Sequence, residues 1–266
     1  MVLCISLAAR PSNLGTRFHN WLYDQLGLNY IYKAFTTTDL PAAIGGVRAL
    51  GIRGCAVSMP FKEDVIELVD RMDPSALAID SVNTIVNDDG VLTAYNTDYL
   101  AVAELIKQRS EVTPSSSVLL RGSGGMAKAV AAAVRDAGFT RVTVVARNEE
   151  AGRRLAGLYG FQWQAEPGNS TADLLINVTP LGMAGQDEEV QSFSDEAIAA
   201  ASLVFDVVAL PSETPLIRAA RRAGKPVLTG AEVIALQAAE QFVLYTGVRP
   251  SAEQIREAGE FSRQPA

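Results

Sequence analysis

Histidine and cysteine are scarce in this sequence: His19 is the only histidine, and Cys4 and Cys55 are the only cysteines among 266 residues. Each cysteine lies in a short apolar run that reads as a strand, so two buried free thiols are expected rather than a disulfide. Without a Cys/His cluster a zinc site has no ligands, and no metal is expected. Long apolar runs are missing too. None approaches the ~20 residues that a membrane helix needs, and the opening stretch, residues 1–10, is too short and polar-flanked for a signal peptide. A cytoplasmic location without a membrane partner is therefore expected. Positive charge is in deficit, with a formal net charge of -7. A phosphate-binding surface needs clustered Lys and Arg, so nucleic acid is not an expected partner. The sequence also lacks solenoid-period repeats and low-complexity tracts.

What remains is an ordinary globular composition, 48% hydrophobic and 20% charged, on a chain long enough for two domains. Short β-rich runs at residues 2–7, 31–36, 54–59 and 82–86 alternate with helix-like stretches at 16–26 and 40–50. Asp39 before Leu40-Pro41 fits a helix start. The run Asn87-Asp88-Asp89-Gly90 reads as a hairpin turn, which predicts an antiparallel part of this sheet. A polar loop at 113–117, or the helix after Asp98, predicts a domain connection. Beyond it, strands at 118–121, 142–146, 174–179, 203–208 and 227–228 are apolar at nearly every position, as in a parallel sheet covered on both faces. The last helices, 231–245 and 251–261, have no strand left to follow.

The clearest motif is Gly122-Ser123-Gly124-Gly125-Met126-Ala127, a G-x-G-x-x-A run between an apolar strand and an Ala-rich helix. Gly122 permits the tight turn, Gly124 lets backbone approach a pyrophosphate, Ala127 allows close helix packing, and the helix N-terminus supplies N–H groups and positive dipole. The next strand ends Val145-Ala146-Arg147-Asn148 rather than in an acidic residue. A guanidinium there suits the extra phosphate of NADP, with Arg153 or Arg154 assisting. The alternative cofactor is NAD, with Arg147 stacked on the adenine and Glu149 or Glu150 holding the ribose.

Polar residues also gather where strands should end: Ser58-Met59-Pro60-Phe61-Lys62, Asn83-Thr84 and Asn96-Thr97-Asp98. Hydride transfer from an alcohol needs a group to take the hydroxyl proton, and with no zinc site Lys62 is the candidate, paired with Asp98. Each polar residue has a plainer reading: Asn83 could close a strand, Asp98 could cap a helix beginning at Tyr99, and Gln237 could be a satisfied core amide.

In order and spacing, His19-Asn20, Pro60-Phe61-Lys62, Val82-Asn83-Thr84, Asn96-Thr97-Asp98, the glycine loop, the run from Asn177 to Met183, and Gly230 with Gln237 together resemble the shikimate dehydrogenase family over nearly the whole chain. The resemblance implies an α/β protein with an N-terminal α/β substrate domain at 1–101, a Rossmann-type parallel-sheet domain at 102–237, and C-terminal helices at 238–266 packing back on the first domain. It implies an active site in the cleft between the domains, with Lys62 and Asp98 as the catalytic pair and Asn83, Asp98 and Gln237 binding substrate hydroxyls. Thr179, Pro180, Val207 and Gly230 are implied to join Arg147, Asn148 and the glycine loop at the cofactor.

This sequence departs from the family pattern where a pair of serines should hold the substrate carboxylate. Asn13 and Gly15 stand there, Tyr99 replaces a glycine, and Ala209 replaces a tyrosine. Asn13, Thr16 and especially Arg17 are candidate replacement donors, although Arg17 equally fits an exposed helix face. The expected function is an NADP-dependent oxidoreductase interconverting shikimate, or a close cyclic hydroxy acid, and its 3-dehydro ketone, with weak activity on shikimate. The alternatives are a quinate or aminoshikimate dehydrogenase, or a non-catalytic dinucleotide or metabolite sensor. A monomer or homodimer is expected.

Overall fold

The computed structural model describes residues 1–264. The chain folds into two compact units, residues 1–100 with 235–266 and residues 101–234. The first unit opens with β1 (Val2–Leu7), α1 (Asn13–Gln25), β2 (Tyr30–Phe35), α2 (Leu40–Ala49), β3 (Gly54–Val57), β4 (Arg71–Met72), α3 (Pro74–Leu77), β5 (Thr84–Asp88), β6 (Val91–Tyr95) and the start of α4 (Thr97–Lys107). Its sheet runs β2-β1-β3-β5-β6-β4. β1 pairs in parallel with β2 and β3, whereas β5 is antiparallel to β3 and β6. The hairpin turns on Asp89 and Gly90, both with positive φ, the conformation that a tight two-residue connection demands. Asp39 caps α2 by accepting from the Ala42 N–H at 3.0 Å.

The second unit holds β7 (Ser117–Arg121), α5 (Gly125–Asp136), β8 (Arg141–Val145), α6 (Glu149–Tyr159), β9 (Gln162–Gln164), β10 (Leu174–Asn177), α7 (Asp195–Ala200), β11 (Leu203–Asp206), α8 (Pro215–Arg222) and β12 (Val227–Thr229). All neighbours in its sheet are parallel, in the order β12-β11-β10-β7-β8-β9. The chain leaves β7 for β8 on one side and later returns to β10 on the other, so the strand order reverses at β7. In such sheets the crevice beyond the carboxyl ends of the strands at this point is the ligand position. Every residue of β10 and β11 is buried, which explains their unbroken apolar runs. α9 (Gly230–Thr246) begins in this unit and runs into the first, to which α10 (Ala252–Arg263) belongs.

Alternation along the first sheet divides its core. Ile5, Leu7, Cys55 and Ile85 face one layer with Ile44 and Val47 of α2. Cys4, Tyr32 and Val86 face the other, against Phe18, Leu22 and Tyr23 of α1, Phe242 and Tyr245 of α9, and Ala258 of α10. Both cysteines are buried free thiols, and burial pushes Cys4 up to about 11 and Cys55 further, so neither is poised to react. Gly54 is required by packing: a Cβ there would stand 2.3 Å from the Tyr245 ring. No described helix is long and apolar enough to cross a membrane.

His19 sits at the centre of the second layer, fully buried and stacked on Tyr32 with ring centroids 4.4 Å apart and planes at 10°. Burial pushes its imidazole down to about 3, Gln241 opposing weakly. The unfolded chain therefore binds a proton near pH 6.5 that the folded chain refuses, and His19 costs stability as pH falls from 6.5 towards 3. Asp206, whose carboxyl burial raises above its ordinary value, works with the opposite sign just above pH 3.8. Urea unfolding across pH 6.5 to 4.5 should show wild-type stability falling at up to ~1.4 kcal/mol per pH unit relative to His19→Gln. Parallel pH profiles for the two proteins would contradict this.

Candidate functional site

In the first unit the turn after β3 carries Lys62, and the first turn of α4 carries Asp98. The Lys62 ammonium donates to Asp98 Oδ2 at 2.8 Å, with both side chains partly exposed, at 29% and 21%. The Val82 N–H donates to the Lys62 carbonyl at 2.9 Å, so the Lys62 turn lies beside the segment that leads into Asn83. Asp98 does not cap its helix. α4 begins at Thr97, and Asn96 caps it by accepting from the Tyr99 N–H at 3.0 Å.

Asn83 is buried, and its Oδ1 accepts from the Thr97 N–H at 2.8 Å, the Thr84 hydroxyl at 2.8 Å and the Thr97 hydroxyl at 3.1 Å. Gln237 Nε2 donates to Thr97 Oγ1 at 3.1 Å. Lys62 with Asp98, and Asn83 with Gln237, thus form two linked pairs around the start of α4. Thr97, which joins the second pair, stands in the Asn96-Thr97-Asp98 motif but reads in the sequence as an ordinary helix-start residue with no role of its own.

Asn13, Thr16 and Arg17 lie on α1, and no hydrogen bond among the described residues ties them to the Lys62–Asp98 pair. Asn13 is exposed at the first position of the helix. Thr16 Oγ1 is buried without a hydrogen-bond partner among the described residues. Arg17 is directed to α10: its Nε and Nη2 donate to the Phe261 carbonyl at 3.3 and 2.9 Å, and its guanidinium lies 4.4 Å from the Phe261 ring centroid. Neither the exposed-face reading nor the carboxylate-donor reading of Arg17 included this helix–helix role, because its partner lies 244 residues away.

In the second unit the glycine loop has the shape its spacing predicts. Gly122 has φ +126°, and a Cβ there would meet Val178 side chain and backbone at 2.7 to 3.0 Å. Around Gly124 and Gly125 a Cβ would meet nothing within 4 Å, and no side chain caps the N-terminus of α5. Space and N–H groups are both present for an anionic group. Ser123 and Met126 occupy the loop and first turn, and Ala127 is fully buried in the packing of α5. A cavity of about 480 Å³ opens beside the loop, lined among others by Arg121, Ser123, Arg147, Asn148, Thr179 and Pro180. Arg147 has no hydrogen bond or ion pair with any described residue, while Asn148 Oδ1 caps α6 by accepting from the Ala151 N–H at 3.0 Å. Arg153 is engaged elsewhere, paired with Glu149 at 2.8 Å and 4.2 Å over the Trp163 ring.

Gly230 and Val207 meet directly: a Cβ on Gly230 would stand 2.3 Å from the Val207 carbonyl, so only glycine lets α9 start against that strand end. Three residues behind these loops were not singled out. Asn177 Nδ2 and the Thr214 hydroxyl donate to buried Asp206 at 3.0 and 2.7 Å, and Asn177 Oδ1 accepts from the Thr179 N–H and hydroxyl at 3.1 and 2.6 Å. Arg121 is the fourth omission. It bonds the Ser192 carbonyl and pairs with Glu166 at 3.4 Å, and burial holds it below the ordinary arginine value. It was hidden because it ends an otherwise apolar strand. No group of three or more metal-ligating side chains occurs among the described residues.

Both units now define a dehydrogenase-type protein: a parallel dinucleotide-fitting domain, and an α/β domain presenting a lysine–carboxylate pair. The family of shikimate dehydrogenase substrate binding domains matches residues 12–85. A shikimate dehydrogenase-like protein of Haemophilus influenzae is 56% identical, covering 98% of this chain and 96% of its own. Shikimate dehydrogenase (NADP(+)) of Citrifermentans bemidjiense is 35% identical, covering 90% and 87%. The solved shikimate 5-dehydrogenase of Thermus thermophilus in complex with NADP(H) and shikimate superposes with a TM-score of 0.86 at 29% identity, covering 98% of this chain and 100% of that one. The chain belongs to the shikimate dehydrogenase family.

Proposed function

We propose that this chain is an NADP-dependent dehydrogenase that interconverts a secondary ring alcohol and its ketone on a cyclic hydroxy acid of the shikimate class, and that shikimate itself is a slow substrate. The observation that carries this reading is the 2.8 Å contact between Lys62 Nζ and Asp98 Oδ2, in a chain whose second unit offers an open glycine loop. Bound NADP supplies the hydride acceptor for oxidation and the hydride donor for reduction. As the neutral amine, Lys62 Nζ takes the hydroxyl proton in oxidation, and as the ammonium it returns that proton in reduction, while Asp98 holds the nitrogen and compensates the charge of the ammonium. Asn83 and Gln237 orient the ring hydroxyls. The retained pair argues against a sensor, which has no use for a proton-transfer group. The NADP in the names of the Citrifermentans relative and the Thermus complex supports the cofactor. So does Arg147, which lines the cavity without a partner among the described residues.

Oxidation of a panel of cyclic hydroxy acids with NADP and NAD tests the reading. Lys62→Ala should lose on the order of 100- to 10,000-fold in kcat with the NADPH dissociation constant nearly unchanged. Turnover equal to wild type would remove Lys62 from the chemistry.

For the cofactor, Arg147→Ala should weaken NADPH binding by about 1.5–3 kcal/mol in a fluorescence titration and leave NADH almost unaffected. A wild type that binds NADH more tightly than NADPH would refute this assignment.

Slow use of shikimate follows from Asn13 and Gly15. A Cβ at Gly15 would stand 3.6 Å from the Tyr32 ring, an ordinary contact, so a serine fits there. The double variant Asn13→Ser, Gly15→Ser should raise kcat/KM for shikimate by ~10- to 1,000-fold, the scale of one or two hydrogen bonds to a charged group. Wild-type kcat/KM above roughly 10⁵ M⁻¹s⁻¹ on shikimate would show instead that the pocket needs no such repair.

A further inference from the structure

We propose that Gln241, one turn beyond Gln237 on α9, is a positioning residue that, together with the Thr97 N–H, holds the way the Asn83 amide faces. Two backbone groups fix the amides of Asn83 and Gln241. The Thr97 N–H can only donate, so the Asn83 atom 2.8 Å from it must be Oδ1. The Asn83 carbonyl can only accept, so the Gln241 atom 3.3 Å from it must be Nε2. Neither amide can be turned over without setting donor against donor or acceptor against acceptor.

The rest follows. Gln241 Nε2 also lies 2.9 Å from Thr84 Oγ1 and donates to it. The single Thr84 hydroxyl proton then goes to Asn83 Oδ1 at 2.8 Å. On the other side Gln237 Nε2 donates to Thr97 Oγ1, whose hydroxyl is 3.1 Å from the same Oδ1. Gln241 thus directs the Thr84 hydroxyl onto Asn83 Oδ1, which the Thr97 hydroxyl also reaches. The partners of Oδ1 are all supplied from within the unit, and Asn83 Nδ2 donates to none of the described residues. Asn83 is held as a donor, preset to receive a hydroxyl or ketone oxygen. Gln241 and Thr84 are buried, so no water competes for these positions.

The role of Asn83 towards substrate rests on the function proposed above, but the amide orientation does not. Two measurements separate them. In ¹⁵N-resolved spectra of the whole protein, the Gln241 side-chain NH2 should be strongly protected from solvent exchange and that of Asn83 should exchange freely. Gln241→Met should shift the Asn83 signals and Thr84→Val should shift them likewise. Protected Asn83 NH2 signals, or signals indifferent to both substitutions, would overturn the positioning. In kinetics on the best substrate of the panel, Gln241→Met should lower kcat/KM by ~10- to 100-fold with NADPH affinity unchanged, and the double variant with Thr84→Val should be no worse than the poorer single one. Gln241→Glu should lose at least as much at neutral pH and recover relative to wild type as the introduced carboxyl is protonated and donates again. Additive losses, or a Gln241→Glu deficit independent of pH, would reduce Gln241 to a packing residue. Absence of turnover by the wild type on every substrate would instead defeat the functional reading, with the amide spectra still deciding the orientation.

Discussion

The start of α4 is the constraint on which the first unit's chemistry depends. A helix begins with N–H groups that have no partner of its own, and here they must be satisfied in a partly buried place. Asn96 meets one of them by accepting from Tyr99, and Asn83, arriving from the strand beside it, accepts from Thr97. Asp98 is therefore released from capping, and its carboxylate is free to hold Lys62. Asn96 is itself fixed, since its Nδ2 donates to the Ser81 carbonyl at 2.9 Å and its N–H donates to the Ser75 hydroxyl at 3.0 Å. Asp98 therefore stands on a helix start that Asn96 and Asn83 both anchor.

The second unit solves a similar problem at the carboxyl ends of β10 and β11. The loop carrying Thr179 and Pro180 leaves a fully buried strand, so its first polar groups need partners inside the protein. Asn177 provides them by accepting from Thr179 and donating to the Leu181 carbonyl at 3.2 Å and to Asp206. Asp206 accepts from the Val208 N–H at 3.1 Å and from Thr214, which ties the start of α8 to the same point. Burial raises its carboxyl, and these hydrogen bonds offset that rise only partly. The loops around the cavity are held by one carboxylate and one amide rather than by packing alone.

Much of this was legible in the sequence. The glycine loop, the apolar strands of the second sheet, the hairpin at Asp89-Gly90 and the Asp39 cap all depend on neighbours within a few residues. The family resemblance stands on the relatives, and the parallel second sheet stands on the structure. β4 and β9 were not read, since runs of two and three residues carry no alternation. Contacts between residues distant in the chain were not legible for a different reason. Gln241 reaches Thr84 across 157 positions, Asn177 meets Asp206 across 29, and Arg17 meets Phe261 across 244. A side chain's type announces that it needs a hydrogen bond, but only the fold decides with whom.

Charge shows the same division between what composition states and what the fold arranges. A net charge of -7 describes the chain's formal total, not the field at any one site. Yet the cavity beside the glycine loop gathers Arg121 and Arg147, close enough that Arg147 helps to depress Arg121. Asp187 also lines that cavity, and Glu166 stands 3.4 Å from Arg121 with its side chain 56% exposed, a long contact that water screens. Screening limits the reach of the distant carboxylates to about 8 Å at physiological ionic strength. A bound anion would therefore feel the two nearby guanidinium groups far more than the protein's total charge. An acidic protein can in this way keep one site whose local field favours a phosphate-bearing ligand.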